Sequence, residues 1–266
     1  MNIFAFETKA QMKSFVIWTV SLLALFLLFT TVFYDAFMSS KAAVQQALDS
    51  LPPAFSAMFG VNLDIMFSYG GFFQFINRYL SLMGAMMASA IALSAFSREK
   101  SSKCVDFLFS KPVSRGEIFL LKLLSCVALI FAMNLLFITV SILSYLGSGQ
   151  NSSGLGTLIL ASLSLLLTQL VFLALGIAYA GFARKVRSVS GTATALGFAG
   201  FILTALYSLL EEDALRYISP LNYFDPGAVF ASGGFEIRYA VTAAVVIVVC
   251  IVLSYLKYSR SDTQMT

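Results

Sequence analysis

The chain has 266 residues, 59% hydrophobic and 11% charged, with a formal net charge of +4 and no histidine, and its mean hydropathy is +0.88. Water-soluble domains are about a quarter charged and under half apolar, so the composition excludes an ordinary soluble protein and points to several membrane spans. The lack of histidine excludes histidine-dependent catalysis and the commonest zinc and haem ligands, and the three cysteines, Cys104, Cys126 and Cys250, imply no disulfide framework.

A bilayer core of about 30 Å takes roughly 20 helical residues, so each long apolar run reads as a span. At the start, Ile3, Phe4, Phe6 and Ala10 alternate with Glu7, Lys9 and Lys13. That spacing predicts either a short amphipathic helix lying in the interface or a disordered tail. The run at 15–34 is longer than a signal-peptide core and is read as a retained span. The loop after it has a helix-prone stretch at 42–51 stopped by Pro52-Pro53, which predicts a helical outer loop. Further spans follow at about 72–96, 118–146, 157–182, 189–210 and 239–257, with a Gly/Ser-rich connector at 147–156. The expectation is one all-α integral membrane domain over 1–266 with six transmembrane helices.

Orientation follows from loop charge. The side holding both termini, the 97–122 loop and the 183–188 turn carries 13 of the 17 Lys and Arg residues, whereas the other side carries 8 of the 13 acids. The basic side is expected to be cytoplasmic, placing both termini inside. A multi-pass protein of the plasma membrane, of the bacterial inner-membrane type, is the corresponding location.

The loop between the second and third spans holds the most informative residues. Arg98, Glu99, Lys100, Lys103, Asp106, Lys111 and Arg115 surround an apolar stripe of Val105, Leu108 and Phe109, which Pro112 ends, and Ser114 is placed to cap the next helix. Such a segment is either a solvated loop satisfying the charge rule or a short docking helix along the membrane surface.

The stretch from Glu99 to Arg115, with Asp106-Phe107-Leu108-Phe109-Ser110-Lys111-Pro112-Val113-Ser114-Arg115 at its heart, resembles the loop after the second span in permeases of the type-two family of ABC (ATP-binding-cassette) transporters. The basic amphipathic start, Ser219-Pro220-Leu221-Asn222-Tyr223-Phe224-Asp225 and Tyr258-Ser259-Arg260-Ser261-Asp262 extend the likeness. Lys103-Cys104 stands where the family commonly has Gly-Thr.

The resemblance implies a coupling helix that docks on a separate ATPase, with Arg98, Glu99, Asp106, Pro112 and Arg115 as contact and hinge residues. It also implies two cytoplasmic ABC ATPase subunits as partners and a second permease copy, identical or related. No phosphate-binding loop occurs in the sequence, so ATP and Mg are expected in the partner and no cofactor in this chain. No nucleic-acid partner is expected. The function so implied is a permease for ATP-driven export of a hydrophobic or amphipathic peptide, lipid or drug. The alternative is a non-transporting membrane anchor or regulatory subunit that uses the same loop to recruit a partner.

Polar residues inside the spans are few. Asn134 and Gln169 are candidates for interhelical hydrogen bonds or for a translocation path. Gly84, Ala88 and Ala92 recur every fourth residue, a spacing suited to close helix packing within the chain or to a homodimer seam. Arg78 is expected to meet an outer-loop acid or a headgroup. Glu211-Glu212-Asp213-Ala214-Leu215-Arg216 fits the Glu-Glu-x-x-x-Arg pattern of CAAX-type membrane proteases, but that family relies on histidines. The cluster is read as a solvated acidic outer turn.

Overall fold

The computed structural model describes residues 3–50, 52, 63–101, 114–149, 154–210 and 212–260, and their regular structure is helical throughout. Helix α1 (Ile3–Leu27) passes through a π-helical turn (Leu28–Phe33) into α2 (Tyr34–Ser39), followed by α3 (Lys41–Asp49) and α4 (Leu63–Met66). The long helices α5 (Tyr69–Ser101), α6 (Arg115–Gly147), α7 (Leu155–Phe182) and α8 (Val189–Leu210) come next. A cap of α9 (Asp213–Tyr217), a 3-10 turn (Pro220–Asn222) and α10 (Pro226–Ser232) leads to α11 (Ile237–Arg260). Six of these segments are long and apolar enough to cross a membrane, the first being Ile3–Ser39 taken as a whole. The architecture is that of an all-α integral membrane protein.

The amphipathic start is not a separate interfacial element. It is the first three turns of α1, continuous with the span, because nothing between Ile3 and Leu27 breaks a helix: the stretch has no Pro and no Gly. At about 1.5 Å per residue, a 37-residue segment outruns a 30 Å hydrocarbon core. The π turn falls where Thr30 and Thr31 donate back to Phe26 O (2.9 Å) and Leu27 O (2.7 Å), a local competition with the helical ladder.

The core is built around α5 and α7. In the span windows, 78% of α5 and 67% of α7 is buried, against 17% of α11. Small residues allow the approach. A Cβ on Gly176 of α7 would lie 2.8 Å from Ala92 Cβ and 3.2 Å from the Ser89 backbone, and one on Gly84 would lie 2.7 Å from Leu165 and 2.9 Å from Gln169. The stripe read from the sequence therefore faces α7 of the same chain at Gly84 and Ala92, and Ala88 between them is fully buried. Asn77 of α5 ties to Ser164 of α7 at 2.8 Å. Helices α8 and α11 pack on the hub with one side and leave Phe198, Ile202, Val245, Val248 and Val252 among their exposed residues.

At the end away from the chain's start, Thr204 of α8 hydrogen-bonds Ser219 (2.9 Å), Asp225 caps α10 through Gly227 N (2.9 Å), and Gly233 ends it at φ +79°, a left-handed value that favours glycine.

Candidate functional site

The segment expected to couple to a partner, 102–113, lies outside the described residues, and with it Asp106, Pro112 and the Val105, Leu108 and Phe109 stripe; the Glu99 side chain does too. The structure describes the two helices from which that segment springs. α5 runs to Ser101, and α6 starts at Arg115 with Ser114 as its cap, the Ser114 Oγ accepting from Glu117 N at 3.2 Å. The capping expectation is met: the extended backbone of Ser114 (ψ 147°) puts its hydroxyl over an otherwise orphan amide.

These two helix ends are joined by a carboxylate from α1. Glu7 Oε1 lies 3.4 Å from Lys122 Nζ in the second turn of α6, and Glu7 Oε2 lies 3.9 Å from Arg98 Nη1 in the last turns of α5. Lys122 is 2% exposed and Glu7 5%. The Lys122 ammonium also donates to Ala95 O of α5 at 2.7 Å and stands 5.9 Å from the centre of the Phe96 ring. Arg98 Nη2 donates to Ser94 Oγ at 3.1 Å. One turn on, Thr8 meets Ser125 at 3.0 Å, and the Gln11 amide points at Cys126 Sγ. A buried charge is tolerable only when paired and hydrogen-bonded, so these contacts fix α1, α5 and α6 against one another at this end.

The last turns of α11 join the same cluster. Phe119 of α6 packs on Phe96 (5.1 Å), Tyr255 (5.5 Å) and Tyr258 (5.6 Å). Gly116 leaves room for Tyr255, whose hydroxyl would stand 2.9 Å from a Cβ there. Arg115 begins α6 half-buried beside it. Of the residues read as coupling contacts, Arg98 and Arg115 are thus at the base of the segment, on different helices of one braced cluster. Sequence reading missed Glu7 and Lys122 as its centre. The signal was present: Lys122 is the lone charge in the apolar run 118–146, and Glu7 the lone acid before Asp35.

A second polar centre lies within the spans. Asn134 Nδ2 donates to Gln169 Oε1 at 2.5 Å and to Ile130 O at 2.8 Å, and the Gln169 amide contacts Met133 Sδ at 3.8 Å. Gly84, having no side chain, admits Gln169. Asn134, Gln169 and Gly84 therefore form one junction of α6, α7 and α5, neutral and buried. Among the described residues, no group of three or more His, Cys, Asp or Glu side chains could hold a metal ion.

A family model described as "ABC-2 family transporter protein" matches residues 1–263. The chain belongs to the ABC-2 transporter family. No curated protein and no solved structure matches it. Membership makes this ABC-2 protein a membrane component of a transporter, a class that works with ABC ATPase subunits, and it agrees with the resemblance carried by the 99–115 stretch.

Two basic residues of the ABC-2 protein sit differently from their sequence reading. Arg78 donates to Ser208 Oγ of α8 at 3.0 Å, a span-to-span contact absent from the expectation, and it also feels the charge of Asp225 in the far-end cap. Arg216 is no member of a solvated turn: only 12% of its side chain is exposed, it pairs with Glu236 Oε1 at 2.7 Å, and its guanidinium stacks 3.9 Å from the centre of the Tyr239 ring. Glu212 and Asp213 remain exposed, and Glu211 lies outside the described residues. Glu236 also holds Arg238 at 2.8 Å. Burial alone would raise the Glu236 carboxyl, but hydrogen bonds from Arg238 and Arg216, and their charges, hold it below its ordinary value.

Proposed function

We propose that this chain is the membrane-spanning permease subunit of an ATP-driven exporter in the plasma membrane, with both termini cytoplasmic. It pairs with a second permease copy, identical or related, and with two ATPase subunits that hold the ATP and Mg. The passenger is hydrophobic or amphipathic, of the peptide, lipid or drug class. The 26 phenylalanines and 10 methionines and the neutral Asn134–Gln169 junction favour such a passenger over a charged one.

One observation carries this reading: the buried Glu7 carboxylate ties α1 to both helices that flank the 102–113 segment. A push on a loop whose ends hang on loose helices is absorbed locally. A push on a loop whose ends are clamped to a common base moves that base. Closure of the ATPases against 102–113 is therefore transmitted through Arg98 and Arg115 into α5, α6, α1 and α11, and tilts the spans toward an outward-open path.

The test is Arg115→Gln and Glu99→Gln in the complex as it assembles in cells. The expected result is an intact complex whose ATPase is no longer stimulated by passenger. Loss of the ATPase subunit from the preparation, with no separate effect on stimulation, would mean that the segment only anchors its partner.

A further inference from the structure

The connector between α7 and α8 carries charge that neither the brace nor the coupling uses. Arg184, Lys185 and Arg187 are all exposed, while Val186 between them packs against the core. Lys257 of α11 stands 4.4 Å from the centre of the Phe182 ring, and Ser254 lies about 3.7 Å from where a Gly181 side chain would begin. The foot of α11 is thus held beside the connector. The ion pairs formed among the described residues involve none of these four cations. The amino end of the 22-residue helix α8 opens at the same place, with Ser188 Oγ accepting from Gly191 N at 3.1 Å, and its dipole adds to the positive field.

An exposed apolar wall begins within one turn of the cations. Tyr179 is 44% exposed, Phe182 52%, Leu253 47% and Leu256 41%, and α7 and α11 are both long and apolar enough to cross a membrane. We propose that Arg184, Lys185, Arg187 and Lys257 form a binding site for an anionic phospholipid, the phosphate headgroup lying among the cations and the acyl chains against Phe182, Leu253 and Leu256. Charge complementarity demands an anion, and the adjoining wall demands an apolar body; an acidic soluble protein would use the first and waste the second. The Val186 anchor fixes the connector's backbone and the Lys257–Phe182 stack fixes the foot of α11 beside it, so the four cations share one stretch of surface. This makes the patch a discrete site and not a diffuse basic fringe.

The test is native mass spectrometry of the full chain, titrated with phosphatidylglycerol and, separately, with phosphatidylcholine. Arg184→Gln, Lys185→Gln, Arg187→Gln and Lys257→Gln are each expected to weaken phosphatidylglycerol binding about fivefold per charge, with phosphatidylcholine unaffected. Lys257→Arg should retain binding, which separates loss of charge from loss of fold. The pair Lys9→Gln/Lys13→Gln, on exposed cations near the start of α1, should leave it unchanged. Wild-type phosphatidylglycerol affinity in the connector variants would overturn the proposal, as would an equal loss in the Lys9/Lys13 variant. Full displacement of the lipid by inorganic phosphate would overturn it too. Connector variants that keep the lipid but lose the ATPase subunit would make the patch a protein dock instead.

Discussion

The two ends of the helix bundle each carry one carboxylate between two cations, and burial makes them different devices. At the base, the Glu7 and Lys122 side chains are 7% and 2% exposed. At the far end, Glu236 is 34% and Arg238 53% exposed, and only Arg216, at 12%, is withdrawn from water. Ion pairs taken out of water depend on each other strongly, since removing one partner strands the other. Exposed pairs are screened and individually weak. The base cluster is therefore a fixed joint, and the far cluster an adjustable latch holding the start of α11 to the 213–222 cap.

The comparison breaks most visibly at Glu7. Glu7→Gln removes the carboxylate paired with the buried Lys122 ammonium, and the expected cost is about 3–5 kcal/mol, read as a large fall in melting temperature in detergent. Lys122→Met in that background should recover most of the loss, because the stranded charge is gone and a flexible apolar side chain takes its volume. A Glu7→Gln protein that melts like wild type would show that the base is no more a joint than the far end.

The next effect is at Arg216. It is the most buried member of the latch and combines the 2.7 Å bridge to Glu236 with the 3.9 Å stack on Tyr239. Arg216→Ala should cost about 1–2 kcal/mol, since a partly desolvated cation–π contact adds to the ion pair. Hydrogen exchange should localise the loosening to the α9–α10 cap, with the base protected as before.

How much of this was legible from the sequence differs between the spans and the joints. Helix α8 begins and ends where its apolar run does, 189–210, because bilayer length and hydropathy alone fix such a segment. The amphipathic start misled because Lys9 and Lys13 do face outward, as an interfacial helix would have them. The partners of Glu7, Thr8 and Gln11 show that the opposite side is buried against α6. Those partners are far away in the chain, and pairing across such a distance leaves no periodic trace. Asn134 and Gln169 were legible as polar spots in apolar runs, but their meeting at Gly84 depended on how α5, α6 and α7 pack. Arg216 was grouped with the acids beside it in sequence, whereas its actual partner, Glu236, lies beyond the intervening cap.

Arg238→Gln sharpens the contrast from the weak side. Its bridge to Glu236 at 2.8 Å is as short as many buried ones, yet its side chain is half in water, so the change should stay within about 0.5 kcal/mol. Raising the salt concentration should shrink even that difference, while the cost of Glu7→Gln should hardly respond to salt. Equal salt sensitivity at the two ends would erase the distinction between joint and latch.

The smallest expected effect is that of pH on the latch. The Glu236 carboxyl is held below its ordinary value of 4.5 in the folded protein, so the folded state favours its ionised form. Such a group stabilises the protein at pH values above the unfolded pKa, and the contribution disappears as the pH falls through the folded one. Wild type and Glu236→Gln should accordingly differ slightly in melting temperature at pH 7 and converge below about pH 4.5, the unfolded reference. The same titration with Arg216→Ala should start from a smaller difference, because one of the two cations that lower the carboxyl has been removed. A gap between wild type and Glu236→Gln that widened on acidification would assign the opposite sign, with burial outweighing the two arginines.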